Sequence, residues 1–88
     1  MPALSIFLGI VITMYSELGG KHSTPHIHAK YAEHEATYDL DGNLIEGSIP
    51  RKQSKLVEAW ILLRKDDLKT NWDLIQNGKA HYKIDPLK

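Results

Sequence analysis

The chain contains no cysteine in its 88 residues. Disulfide bonds and thiolate metal sites are therefore excluded, and any bound metal must be held by His, Asp or Glu. Net charge is also lacking, because eleven Lys and Arg balance eleven Asp and Glu. Neutralisation of phosphates dominates affinity for nucleic acid, so a neutral chain argues against such a partner without excluding it.

A long apolar run is missing as well. Residues 3–15 form the most apolar stretch, but a transmembrane helix needs roughly 20 apolar residues. The stretch also lacks the basic start and the small-residue cleavage site of a signal peptide. We therefore expect a cytoplasmic protein with no membrane partner. The β-branched residues within 8–15 instead predict one buried, central strand.

The length predicts a single domain, residues 1–88. Its charge is unevenly distributed. Residues 1–47 carry two Lys against six Asp or Glu, whereas residues 48–88 carry nine Lys or Arg against five Asp or Glu. The acidic half suits a cation and the basic half an anion, although mixed charge also simply solvates the surface of a small protein.

Two alternating segments predict a β-hairpin. Residues 26–31 and 35–40 alternate between polar and apolar side chains, which is the pattern of strands with one buried face. Asp41-Gly42 is a strong turn signal and leads into a further strand, 43–46. The residues predicted to face the core are Ile27, Ala29, Tyr31, Ala36, Tyr38 and Leu40.

The pattern becomes helical after Gly47. Pro50 suits a first helical turn, with Ser48 as a nearby cap. Asp66-Asp67 suits the start of a second helix that stops at Asn77-Gly78, and one helix bent across 64–66 is the alternative. The predicted buried stripes are Leu56, Val57, Trp60, Ile61 and Leu63 in the first helix, and Leu68, Trp72 and Ile75 in the second.

These elements predict an α+β fold. A small N-terminal antiparallel sheet of three to four strands packs against the two C-terminal helices, and the alternation around Tyr82 and Ile84 predicts a short last strand. Both tryptophans lie on the apolar stripes, so we expect them in the core rather than as platforms for stacking bases.

The hairpin also has a predicted register. If Ala32-Glu33 is a two-residue turn, every polar residue of one strand faces a polar residue of the other, and every apolar residue an apolar one. His26 then faces Asp39, and His28 faces Thr37. Ala-Glu is a poor type I′ turn, and a longer loop would shift these pairs.

His26, His28 and Asp39 are the candidate site. Two histidines spaced two apart on a strand can turn toward one divalent metal such as zinc, with Asp39, His22 or water completing the ligands, although the sequence requires no cofactor. The carboxylate could equally orient His26 for acid–base catalysis. An exposed or hydrogen-bonded pair with no chemistry is the third interpretation. Lys30 on the same face counts against a metal.

The start of the first helix is a second candidate, for an anion. Orphan N–H groups and the helix dipole attract negative charge there. The side chains that would add to this anion-binding site are Ser48, Arg51, Lys52 and Lys55. A solvated first turn explains the same residues without a ligand. His34 and His81 are expected to be surface residues.

Three short motifs are present: Pro25-His26-x-His28, Glu46-Gly47-Ser48-x-Pro50-Arg51 and Asn71-Trp72. With these motifs the chain resembles a family of small bacterial proteins, domain of unknown function 4160. The resemblance implies a small protein partner encoded nearby, an arrangement that suggests a toxin–antitoxin pair. The family often carries Gly where this chain has Ala32. The resemblance implies no established catalytic residue.

Three functions follow as hypotheses. The chain is a metal- or ligand-binding module using His26, His28 and Asp39, or an interaction domain of a two-protein system, for which a homodimer is also open. The alternative is a toxin-like RNA-cleaving enzyme, in which His26 and His28 act as acid and base and Arg51 anchors a phosphate. The sequence does not decide whether the protein is an enzyme.

Overall fold

The computed structural model describes residues 3–15 and 24–87. One antiparallel sheet has the strand order β1-β2-β3-β4-β5. The α+β class is therefore confirmed, but the prediction of three to four strands is wrong, since five are present. The elements are β1 (Ser5–Phe7), β2 (Ile10–Thr13), β3 (His26–Tyr31), β4 (His34–Asp39), β5 (Leu44–Ser48), α1 (Arg51–Leu63) and α2 (Lys65–Gln76).

The additional strand comes from the first apolar stretch. Instead of one strand over residues 8–15, the chain forms a hairpin in which Phe7 pairs with Ile10. Leu8 and Gly9 make the turn at φ 50° and 79°, and positive φ at both central residues is the requirement of a type I′ turn. Because both strands and the first turn residue are apolar, the sequence carries no polar signal for this turn.

The register of β3 and β4 is confirmed pair by pair. His26 faces Asp39, His28 faces Thr37, and Lys30 faces Glu35. The turn at Ala32-Glu33 has a positive φ only at Ala32, so it is not type I′. That conformation explains why glycine suits this position, since glycine adopts positive φ without a steric penalty.

β5 pairs with β4 through an irregular register. Thr37 pairs with Glu46 but Tyr38 pairs with Leu44, so Ile45 is the extra residue of a bulge. The predicted strand 43–46 thus extends to Ser48. Ser48 is a strand residue rather than a helix cap, and Pro50 occupies the N-cap of α1 without a side-chain hydrogen bond.

The helices pack on the apolar face of the sheet. All of the predicted core residues of β3 and β4 are buried, except that Tyr31 is partly buried against the core. Trp60 is buried and Trp72 nearly so, as predicted. The side chains that fill this core from the helices are Val57, Trp60, Ile61, Leu68, Trp72 and Ile75.

The two helices are separate rather than one bent helix. α1 ends at Leu63, and Arg64 breaks the helical geometry at φ −112° and ψ 19°. Leu63 is exposed, so the prediction that it faces the core is wrong. α2 carries Asp66 and Asp67 in its first turn, where they complement the helix dipole. In the described part of the chain, neither helix is long and apolar enough to cross a bilayer.

The C-terminal segment, residues 79–87, is not a strand. The prediction of a short last strand is therefore wrong, although Ile84 is buried as its alternation suggests. The segment is held mostly by the helices: Tyr82 N donates to Asn71 Oδ1 at 2.9 Å, and Trp60 Nε1 donates to Asp85 O at 2.8 Å. Ile84 N also donates to the backbone oxygen of Leu4, the residue before β1, at 2.8 Å.

Candidate functional site

On β3, β4 and β5, the side chains that alternate with the core residues form an open polar face, which continues into the apolar Val11 and the exposed Ile6 on β2 and β1. His28 and Thr37 are half-buried, as is Thr13 beside His28, whereas Lys30, Glu35, Glu46 and Ser48 are exposed. We define this open face by the described residues His28, Lys30, Glu35, Thr37, Glu46 and Ser48, which come from β3, β4 and β5.

A cleft of about 240 Å³ lies on the open face. It is lined by His28, Glu35, Thr37, Glu46 and Gly47. Thr37 Oγ1 lies 3.3 Å from His28 Nδ1. Gly47 contributes only backbone to this lining. Two carboxylates beside an imidazole and a hydroxyl suit a ligand that is cationic or rich in hydrogen-bond donors.

Gly47 also allows β5 to approach β4. Its φ is +71°, and a Cβ there would lie 2.3 Å from Glu35 O. A contact that short is not possible without moving the backbone, so no other residue fits. The glycine therefore allows the edge strand to pair with β4 at this position.

His26 lies deeper than the sequence suggests. It is only 2% exposed, although it shares the polar side of β3 with His28. Its Nδ1 lies 2.8 Å from Thr24 O, and a carbonyl oxygen only accepts, so Nδ1 carries a proton and donates it. The ring lies 5.2 Å from the ring of His28 and 5.2 Å from that of Trp72, between centroids. These contacts tie the start of β3 to α2.

Asp39 faces His26 across the strands, as predicted, but its carboxylate is engaged elsewhere. Oδ1 accepts from the backbone N–H of Asp41 and of Asn43, each at 2.9 Å, and Oδ2 accepts from Asn43 Nδ2 at 3.1 Å. Burial alone would raise the pKa of Asp39, but hydrogen bonds from Asn43, Asp41 and Gly42 together hold it below its ordinary value. The carboxylate therefore closes the turn between β4 and β5.

These positions bear directly on the predicted metal site. Within residues 3–15 and 24–87, no three His, Asp or Glu side chains come together as metal ligands. His26 and His28 are adjacent, but Asp39 would have to give up its turn hydrogen bonds to join them. His22, the other ligand considered, lies outside the described residues.

Three of the predicted anion-binding residues are separated from His28 by the sheet, whereas the fourth, Ser48, lies on the open face. Arg51, Lys52 and Lys55 are exposed on the first turns of α1. α1 packs on the core face, where the hydroxyl of Tyr38 lies 2.6 Å from Ser54 Oγ, whereas His28 points to the opposite face. Arg51 and His28 are therefore not arranged around one ligand.

The comparison with known families confirms the family resemblance. The model of the family described as Domain of unknown function (DUF4160) matches residues 9–73. The chain belongs to this family. No curated protein and no solved structure matches it significantly. The matched DUF4160 region includes the whole open face, but its description assigns no activity, so the function must be argued from the geometry.

Sequence reasoning missed two parts of this DUF4160 site. Glu46 and Gly47 complete the cleft. The sequence contained a signal for Glu46, because a two-residue turn at Asp41-Gly42 pairs Glu46 with Thr37, and this pair is observed. Nothing in the sequence marked the buried position of His26, because its contact with Trp72 joins segments that are distant in the chain.

A partly buried polar chain on the core side of the sheet was also missed. Ser54 Oγ donates to Glu58 Oε2 at 3.1 Å, so the hydroxyl of Tyr38 is the donor to Ser54. Burial raises the pKa of Tyr38, and the charge of Glu58 adds to this, while the hydrogen bond with Ser54 acts in the opposite direction. The phenol therefore stays neutral and links the sheet to α1.

Proposed function

We propose that the protein is a bacterial, cytoplasmic binding module of a two-protein system, and that the open face contacts a small protein partner encoded nearby. The observation that carries the proposal is the one-sided packing of the sheet. Both helices contribute to the core, and Trp72 of α2 also reaches His26 at the start of β3, whereas Lys30, Glu35, Glu46 and Ser48 are exposed. An exposed polar face that carries a cleft suits contact with a protein partner.

Co-expression with the product of the adjacent reading frame tests the proposal. The two chains are expected to co-elute in size-exclusion chromatography with the mass of a complex. Lys30→Glu reverses a charge at the centre of the open face and should weaken the complex by about tenfold or more. Lys79→Glu, an exposed change outside the sheet, is the matched control. Separate elution of the two wild-type chains would contradict the proposal.

The His pair supports a ligand site as part of the same module. Since Nδ1 of His26 donates to Thr24 O, Nε2 is the ring nitrogen that would have to bind a metal such as zinc. Zinc titration by calorimetry tests this for the wild type and for His26→Ala/His28→Ala. Heat of binding that appears only in the wild type would support a metal site at the two histidines. Absence of heat in the wild type would reject the metal site.

The second candidate is a toxin-like RNA-cleaving enzyme. The 5.2 Å separation of the His26 and His28 rings favours it, because an acid and a base must lie close to one reacting phosphate. The near-complete burial of His26 and the location of Arg51 beyond the opposite face weigh against it. The enzyme predicts growth arrest on induction that either His→Ala change relieves; unaffected growth without a partner contradicts it.

A further inference from the structure

β5 is an edge strand with an unpaired outer side. It pairs with β4 alone in the described sheet, and all five of its residues are exposed. The N–H and C=O groups that point away from β4 are a template for an added strand. Charges, bulges and covering segments protect such edges from aggregation in many proteins. In the described part of β5, the charge of Glu46 and the bulge at Ile45 provide this protection.

The two sides of β5 differ in chemistry. Glu46 lies on the open face beside Thr37, with Glu35 also on the cleft. Leu44 pairs with Tyr38, so its side chain lies on the core side of the sheet, yet it remains 52% exposed at the edge. An added strand would thus meet carboxylates on one face and an uncovered leucine on the other.

A second copy of the chain fits this edge poorly. Antiparallel pairing of all five residues of β5 with themselves would put Glu46 directly opposite Glu46, and like charges directly opposite are destabilising. The acidic excess of residues 1–47 adds to the repulsion. The edge therefore favours a segment of opposite charge.

We propose that β5 binds an extended segment of the partner protein as a sixth strand, and that this segment alternates basic and apolar side chains. An Arg or Lys of the segment lies beside Glu46 over the cleft, and the apolar neighbours cover Leu44. Backbone hydrogen bonds supply the pairing, and the alternate side chains supply the specificity. The inference rests on the proposed function and names the chemistry of its partner.

Capped synthetic peptides test the inference with the whole protein. The probe is acetyl-Thr-Val-Arg-Val-Thr-amide, and the comparison peptide has Glu in place of Arg. In two-dimensional amide NMR spectra, the Arg peptide should shift the signals of residues 44–48 saturably. It should bind about fivefold more tightly than the Glu peptide, the ratio expected from exchanging an attractive for a repulsive cross-strand pair.

Two further measurements separate strand pairing from simple charge attraction. Glu46→Lys should reverse the preference between the peptides, while Asp73→Lys, the same exposed charge reversal on α2, should keep it. N-methylation of alternate amides in the Arg peptide should abolish binding, because the ladder donors are lost. Equal binding by the methylated peptide, shifts outside β5, or no preference for Arg would overturn the inference.

The same NMR experiment can also detect a second copy of the chain bound to β5. Concentration-dependent shifts of residues 44–48 without peptide would identify a second copy on the edge and overturn the basic partner. If β5 binds no peptide, the proposed function can still be tested, because co-elution with the adjacent gene product is measured separately. A complex that forms unchanged with Glu46→Lys would retain the binding module and reject β5 as its contact.

Discussion

At the scale of single residues, glycines with the same backbone conformation have different roles. Gly47 and Gly78 have φ of +71° and +70°. A Cβ on Gly47 would collide with Glu35 O, whereas a Cβ on Gly78 would meet no atom within 4 Å. Positive φ costs a non-glycine residue roughly 1–2 kcal/mol at either position. The difference in unfolding free energy between alanine substitutions at the two positions therefore reports the close approach of β5 to β4.

We predict that Gly47→Ala lowers the free energy of unfolding by about 3–5 kcal/mol, because the collision adds to the backbone cost. Gly78→Ala, the matched control, should cost about 1 kcal/mol. Urea unfolding followed by circular dichroism measures both. Equal losses in the two variants would show that the approach of the strands is not tight at Gly47.

Asp39 gives a prediction with a defined pH window. Its folded pKa is held below its ordinary value by the N–H groups of the turn, so the unfolded chain binds more protons in that range. The resulting stability is present above about pH 4, the ordinary value for Asp, and is lost as the pH falls through the lower folded pKa.

Asp39→Asn should therefore cost about 1–2 kcal/mol at neutral pH through weaker turn hydrogen bonds, and the cost should shrink as the pH falls below about 4. Denaturant unfolding at a series of pH values measures this. Asp73→Asn at an exposed helical position is the matched control. If Asp73→Asn changes the pH dependence of the unfolding free energy below about pH 4 by the same amount, the effect comes from net charge rather than from the turn.

At the scale of elements, the turns determine which strands the sequence reveals. The β3–β4 register was predictable because polar and apolar residues match along both strands, which one-residue slippage would destroy. The β1–β2 hairpin was not, because Leu8 replaces the polar residue that usually marks its turn. Leu8 lies at φ 50° and is 64% exposed, so this leucine is strained without being buried.

Leu8→Asn should stabilise the protein by about 0.5–1 kcal/mol, because Asn-Gly is the preferred pair of a type I′ turn and Asn tolerates positive φ. Thermal unfolding by calorimetry measures the change. Leu62→Asn removes an equally exposed leucine from α1 and should be slightly destabilising, since Asn is the poorer helix former. Destabilisation of both variants would contradict the turn assignment.

The candidate site was predictable only in part, and for a physical reason. Period-two alternation puts His28 and Thr37 on one face from local sequence alone. The depth of His26 and the engagement of Asp39 depend on contacts with Trp72 and with the 41–43 turn, which alternation does not encode. The basic start of α1 is likewise evident in the sequence, but its separation from His28 follows from which face the helix covers.

At the scale of the whole molecule, the C-terminal segment joins both layers of the fold. Ile84 is nearly buried, and its N–H donates to Leu4 O at the sheet edge. The next residue accepts hydrogen bonds from Trp60 and Arg64 of the helical layer. Alternation around Ile84 correctly indicates burial, but the helices supply most of the partners that a neighbouring strand would provide, and so no strand forms.

Ile84→Ala should therefore reduce the free energy of unfolding by about 2–4 kcal/mol, the usual cost of a cavity left by a buried isoleucine. Leu63→Ala, which is 66% exposed at the end of α1, should change it by less than about 0.5 kcal/mol. Because the segment contacts both layers, unfolding of Ile84→Ala should remain a single transition when followed by tryptophan fluorescence and by circular dichroism. If the two probes separate, or if both substitutions cost the same, the segment does not join the layers.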